Sequence, residues 1–205
     1  VAEDPCDERA GRRKHRKSLI ARLDAFGLLH ERSIFAHGTH LDAAAIKRIR
    51  AAKVTMAHHA RSNMNNAVGY APVAEFGPRV MIGTDGIGAN MLGEARAAWF
   101  IARHSGARLA PSDIVAMLAQ SARRASASLG GTLGKLQPRA VADVVITNYR
   151  PFTPISTENL AGHLLFGPGP QHVESVMIGG RWKLRAGKVL ECDEVGAREA
   201  AVGIS

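Results

Sequence analysis

The sequence predicts an α/β fold, with four βα units of parallel strand order over residues 1–130 and a small β-rich domain over 131–205. Three observations carry this reading. Short apolar runs alternate with helix-period segments as far as about residue 128. The punctuation then changes at Gly130-Gly131, beyond which β-type runs dominate. Finally, three successive apolar runs close on polar residues at their carboxyl ends, His37, His58 and Asp85.

Taken in order, Val1-Ala2-Glu3 reads as the end of a first strand. Residues 8–28 read as one helix, with Leu19, Ile20, Leu23, Phe26 and Leu28 on an apolar face and Arg12-Arg13-Lys14-His15-Arg16-Lys17 on a solvated one. Ser33 to His37 is the second strand, and Asp42 is placed to cap a helix running through Arg50. Val54 to His58 is the third strand. The stretch Ser62 to Gly69 is too rich in asparagine and too poor in periodicity for regular structure, so it reads as a functional loop. Val80 to Thr84 is the fourth strand, ending at Asp85-Gly86, with helices expected at about 91–104 and 112–127. In the second domain the strands are Val144–Thr147, Val173–Ile178, Trp182–Leu184 and Val189-Leu190, with a turn at Ala186-Gly187-Lys188. A hinge rich in proline and threonine, residues 150–159, precedes a short helix over Leu160–Phe166.

Composition narrows the function classes. Of the 205 residues 46% are hydrophobic, enough for one sizeable core. No segment approaches the run of about 18 apolar residues that a membrane helix needs, and Val1-Ala2-Glu3-Asp4 does not resemble a signal peptide. Cys6 and Cys192 lie far apart in sequence, which suggests neither a metal knuckle nor a disulfide framework, and a cytoplasmic location is expected. The formal charge of +9 raises a basic nucleic-acid-binding module as an alternative, centred on Arg12 to Lys17. That run lacks interleaved aromatics for base stacking, and aromatic residues are only 5% of the chain, so a solvated helix face is preferred.

Four βα units are half of a (β/α)8 barrel, the TIM barrel, which typically needs about 250 residues. An open doubly wound sheet is the competing architecture, but Gly86-Ile87-Gly88 lacks the third glycine of a dinucleotide loop. Strand ends carrying His, His and Asp favour a barrel whose carboxyl face holds a metal. A carboxylate such as Asp85, at a strand end beside glycine, can face a metal ion or an activated water. His58 at its strand end and Asn63 in the following loop could orient substrate. Asn90, just after the Asp85 turn, could line the pocket. Glu94 on the next helix is expected to make a structural bond.

The stretches Ala36-His37-Gly38-Thr39-His40-Leu41, His58 through Val73, and Gly83-Thr84-Asp85-Gly86 resemble the amidohydrolase superfamily. The resemblance is to its cytosine-deaminase and chlorohydrolase-like branch, and within that to SsnA-type aminohydrolases. Gly134 to Val145 and Val176 to Gly180 are similar to the small β domain of the same branch, so the resemblance covers essentially the whole chain.

Several expectations follow from it. The chain resembles the carboxyl-terminal half of such an enzyme, about barrel strands 5–8, with Val1 to Asp4 continuing a His-x-x-Glu motif whose histidine would precede Val1. Asp85 matches the aspartate that binds the metal and takes the proton of the nucleophilic water. His37 matches the histidine that stabilises charge as a tetrahedral intermediate forms. Glu3 matches the glutamate that shuttles a proton to a ring nitrogen or leaving amine. The implied cofactor is a divalent metal, zinc first and iron second, with Asp85 the one ligand that this chain retains by matched position. The implied chemistry is hydrolysis of a non-peptide C–N bond in a small heterocyclic or amide substrate, deamination ahead of chlorohydrolase or amidase chemistry. A homo-oligomeric parent is expected, and the fragment is expected to be inactive alone. A catalytically inactive βα scaffold is the remaining alternative.

Overall fold

Ile34–Ala36 (β1), Thr55–His58 (β2) and Val80–Ile82 (β3) form a parallel sheet in the order β1-β2-β3 in the computed structural model, which describes residues 1–202. Phe35 pairs with Met56 and Met56 with Val80, so the three strands share one register. Each strand feeds a helix: Ala43–Ala51 (α3) after β1, Ala60–Asn65 (α4) after β2, and Met91–His104 (α5) after β3. Parallel neighbours joined through helices are what alternating strand and helix periodicities dictate.

The core lies between this sheet and its helices. Ile46 and Ile49 of α3, and Ala95 and Ala98 of α5, are buried at the three-residue spacing that marks one helix face. Pro111–Leu129 (α6) adds Ile114 and Met117 at the same spacing. They meet Phe35, Met56, Val80 and Ile82 from the strands. Each large aliphatic side chain so buried contributes about 1.5–3 kcal/mol. Asp42 caps α3 as expected, Oδ1 accepting from Ala45 N at 2.7 Å.

The expected helix over 8–28 is two helices, Pro5–His15 (α1) and Leu19–Ala25 (α2). Arg16 turns left-handed at φ 52° and ends α1, and the Ser18 side chain accepts from Ala21 N to start α2. Serine competes with the backbone for hydrogen bonds and favours caps over helix interiors, which the apolar spacing concealed. Within the expected apolar face Ile20 is buried, whereas Phe26 is 71% exposed. Arg12 through Lys17 are exposed.

The expected first strand does not form. Val1 and Ala2 lie along β1, with Gly38 N donating to Val1 O at 2.9 Å and His40 N to Ala2 O at 3.0 Å. The pairing stops there because the capping box of α1 takes over: Asp4 accepts from Cys6 N at 2.7 Å and Asp7 from Glu3 N at 2.9 Å. The asparagine-rich stretch read as a loop begins inside α4, whose short span hides the helical period.

The chain divides into two compact units, one of Val1–Ala122 with Ile155–Phe166, the other of Arg123–Pro154 with the residues from Gly167 onward. The division falls within α6, and the short helix Leu160–Phe166 (α7) belongs to the first unit, whereas the sequence reading placed the boundary at 130/131. The second unit carries an antiparallel sheet, Val144–Thr147 (β4), Val173–Ile178 (β5), Arg181–Arg185 (β6) and Lys188–Val189 (β7), in that order. Gly179-Gly180, with φ of 56° and 80°, closes the β5-β6 hairpin as a two-residue loop of the kind that matches strand twist. A last helix is Glu194–Val202 (α8). Among the described residues no helix is long and apolar enough to cross a membrane.

Candidate functional site

The turns that leave β1 and β3 carry His37 and Asp85, β2 is followed by His59 and by α4 with Ser62 and Asn63, and Glu3 reaches the same place from the segment before α1. Main-chain bonds extend the sheet just past its strands, His37 N to Ala57 O and Gly83 N to His58 O, both at 3.0 Å. Beyond them the chain turns sharply: His37 has φ 67° and Asp85 φ 53°, left-handed values that cost an ordinary residue about 1–3 kcal/mol and concentrate at functional positions. Gly38 follows at φ 74°, where a Cβ would meet Met56 Cε at 2.8 Å and Phe76 Cζ at 2.9 Å, so the His37 turn requires glycine next.

His37 is the hub. Its Nε2 lies 3.5 Å from Glu3 Oε2 and 3.8 Å from Asp85 Oδ2. Its Nδ1 lies 3.0 Å from Asn63 Oδ1, an atom that can only accept, so Nδ1 carries a proton and donates. Asn63 is buried, and its amide nitrogen donates to Thr39 Oγ1 at 3.3 Å, which fixes the amide's orientation. Ser62 Oγ donates to Asp85 Oδ2 at 2.7 Å and Gly86 N to Oδ1 at 2.8 Å. The Ser62 bond foremost, with the Gly86 bond, holds the Asp85 carboxyl below its usual range. Asn66 Nδ2 donates to Glu3 Oε1 at 3.4 Å.

His59 completes the group, with its ring centroid 4.8 Å from that of His37. Burial, with the neighbouring His37, lowers its pKa, favouring the neutral imidazole. Donor atoms of His37, His59 and Asp85 all lie within 4.8 Å of one another. Two imidazoles and a carboxylate are ligands that zinc accepts, and the buried Nδ1 of His59 has no hydrogen-bond partner, so this donor set fits a divalent cation.

Of the residues named from sequence, Glu3, His37, Asn63 and Asp85 converge, whereas His58 and Asn90 do not join them. His58 is 2% exposed, its two ring nitrogens lack partners, and its ring stands edge-on to Tyr70 with centroids 6.2 Å apart. Burial pushes its pKa down to about 4. Asn90 caps α5, Oδ1 accepting from Gly93 N at 2.8 Å. Sequence reasoning missed His59 and Ser62. The tandem His58-His59 was the available signal, since adjacent residues at a strand end point to opposite sides and only one of the pair can face the core.

The amidohydrolase family pattern matches residues 5–183. The chain belongs to the amidohydrolase family. This amidohydrolase chain is 32% identical over 186 residues to the 5-methylthioadenosine/S-adenosylhomocysteine deaminase of Desulforudis audaxviator, an alignment covering 86% of this chain and 43% of that protein. It is 28% identical over 204 residues to the 5'-deoxyadenosine deaminase of Methanopyrus kandleri, covering 95% of this chain and 47% of the relative. It thus spans about half the length of these relatives. Among solved structures, an adenosine deaminase from Xanthomonas campestris with bound zinc superposes with a TM-score of 0.86 at 23% identity, covering 98% of this chain and 48% of that one. At that identity the likeness is one of fold.

Proposed function

We propose that this chain is the carboxyl-terminal half of a (β/α)8-barrel hydrolase, with its small β-rich unit, and that the assembled enzyme deaminates an aminated heterocycle. Coverage of about half of each relative, and three parallel strands each followed by a helix, support the half-barrel reading. The names of the relatives put 6-aminopurine nucleosides first among substrates. The observation that carries the function is the convergence of His37 Nε2, Glu3 Oε2 and Asp85 Oδ2 within 3.5–3.8 Å of the histidine.

A bound divalent cation, zinc foremost, supplies an activated water by lowering its pKa toward neutrality. Asp85, held ionised by Ser62 and Gly86, accepts the proton of the attacking water. His37, its tautomer set by Asn63, turns the lone pair of Nε2 to the same point and helps fix the position of attack. Glu3 approaches the same Nε2 as Asp85 and, in its acid form, gives its proton to the ring nitrogen of the substrate. The proton that Asp85 took from the water passes to the departing amine, and the second proton of that water returns Glu3 to its acid form as the carbonyl forms. Asn66 orients the Glu3 carboxyl.

The test is ammonia release by the parent enzyme from adenosine, 5'-deoxyadenosine and 5'-methylthioadenosine, set beside cytosine and aminotriazines. Turnover of a 6-aminopurine nucleoside, lost in Glu3→Gln, supports the reading. Absence of ammonia release from every substrate by a zinc-loaded parent would falsify it.

A further inference from the structure

We propose that Arg61 and Glu94 position the reacting groups of the site, Glu94 by capping α4 from the neighbouring helix and Arg61 by anchoring the turn that carries Asp85. The inference rests on the proposed hydrolase reading for its kinetic consequence, but the geometry that it assigns can be measured without any substrate. Both residues act through others.

An N-cap residue ordinarily offers its side chain to the free N–H groups of the first helical turn. His59 occupies that place before α4 and makes no such bond. Glu94, on α5, makes it instead: its Oε1 accepts from Arg61 N at 2.9 Å, and its carboxylate is fully buried there. The His59 ring is thereby left free to lie against His37. Ser62 and Asn63, the next two residues of α4, take their places from the same cap, Ser62 to bond Asp85 and Asn63 to bond His37.

Arg61 closes the other half of the arrangement. Its Nε pairs with Glu94 Oε2, while Nη2 donates to Gly88 O at 2.7 Å, a carbonyl that also accepts from Asn90 N at 2.7 Å. The loop so held runs from Asp85 to the start of α5 and has two glycines, Gly86 and Gly88, neither at a left-handed φ and neither with an atom within 4 Å of where a Cβ would stand. Their surroundings do not demand glycine, so what they give the loop is pliancy. Asp85, by contrast, sits at φ 53°, and a strained residue keeps its conformation only where its surroundings impose it. A planar guanidinium serves Glu94 and Gly88 at once, a double reach that a lysine ammonium lacks.

Arg61→Lys in the parent enzyme separates positioning from folding. The charge beside Glu94 stays, so the fold should persist, while the anchor on Gly88 is lost. Amide exchange over residues 86–90, followed by mass spectrometry, should quicken at least about tenfold. Turnover of the preferred aminopurine nucleoside, as kcat per bound zinc, should fall at least about tenfold with KM within about twofold, because Asp85 acts on the water in the transition state. Adding Gly88→Ala to Arg61→Lys stiffens the loop and should recover about two- to fivefold of the lost kcat. Arg48→Lys, at the exposed pair with Asp24, should change neither readout. Should Arg61→Lys not fold, Glu94→Gln takes its place: its amide oxygen still caps α4 but the ion pair is gone, and exchange and kcat should move in the same directions by at least about threefold. Unchanged exchange over 86–90 overturns the proposal whatever the parent hydrolyses, as does quickened exchange with kcat per bound zinc unaltered. A parent that releases no ammonia counts against the hydrolase reading, and exchange alone then decides this inference.

Discussion

Arg61 and Glu94 form an ion pair in which the fully buried carboxylate also accepts from the backbone N–H of Arg61 at 2.9 Å. The same arginine donates through Nη2 to Gly88 O at 2.7 Å. One side chain thereby ties α4, which follows β2 and carries Ser62 and Asn63 with His59 just before it, to the turn after β3, which carries Asp85. Removing one partner of a buried pair leaves the other charge uncompensated, a loss of about 3–5 kcal/mol. Glu94→Ala is therefore expected to destabilise the protein by that amount in urea denaturation. A change below about 1 kcal/mol would show that the pair does not brace these turns.

His58 sets an expectation for pH. Its folded pKa of about 4 lies below the ordinary value of 6.5, so between those values the unfolded chain binds the extra proton. The contribution is complete above pH 6.5 and is lost as pH falls toward 4, amounting to about 3 kcal/mol for a shift of this size. His58→Leu, which removes the titrating ring, should flatten the stability profile across that window when melts are compared at pH 4.5 and 7. An unchanged slope would mean that other groups govern acid sensitivity.

The basic helix gives the opposite expectation. Arg13 and Lys14 are exposed on α1. Changing both to alanine should alter stability by less than about 0.5 kcal/mol and turnover of the parent by less than about threefold. Salt-dependent oligonucleotide binding lost in that double variant would instead give this helix a nucleic-acid role.

The strand ends were the legible part of the sequence, because an apolar run stopped by a polar residue beside glycine shows in one dimension. His37 and Asp85 were found that way, and Glu3 through the resemblance of its segment. Which of His58 and His59 faces the site was not legible, since both end the same run and the choice depends on a half-turn of backbone past Ala57. The break at Arg16 was hidden because a left-handed cap on arginine carries no residue signature, unlike glycine. Asn90 looked like a pocket residue from its place after Asp85, yet the first turn of α5 claims its side chain. Ser62 could not be picked out because its partner, Asp85, lies 23 residues away along the chain.

Asp85→Asn in the parent enzyme tests the assignment of the site most directly. The substitution keeps the shape of the side chain and its place beside Ser62, while removing the negative charge and the proton acceptor. Turnover of the preferred aminopurine nucleoside, measured as ammonia release alongside metal content, should fall at least about a thousandfold. Turnover near that of the unaltered enzyme would contradict Asp85 as the group that accepts the proton of the attacking water.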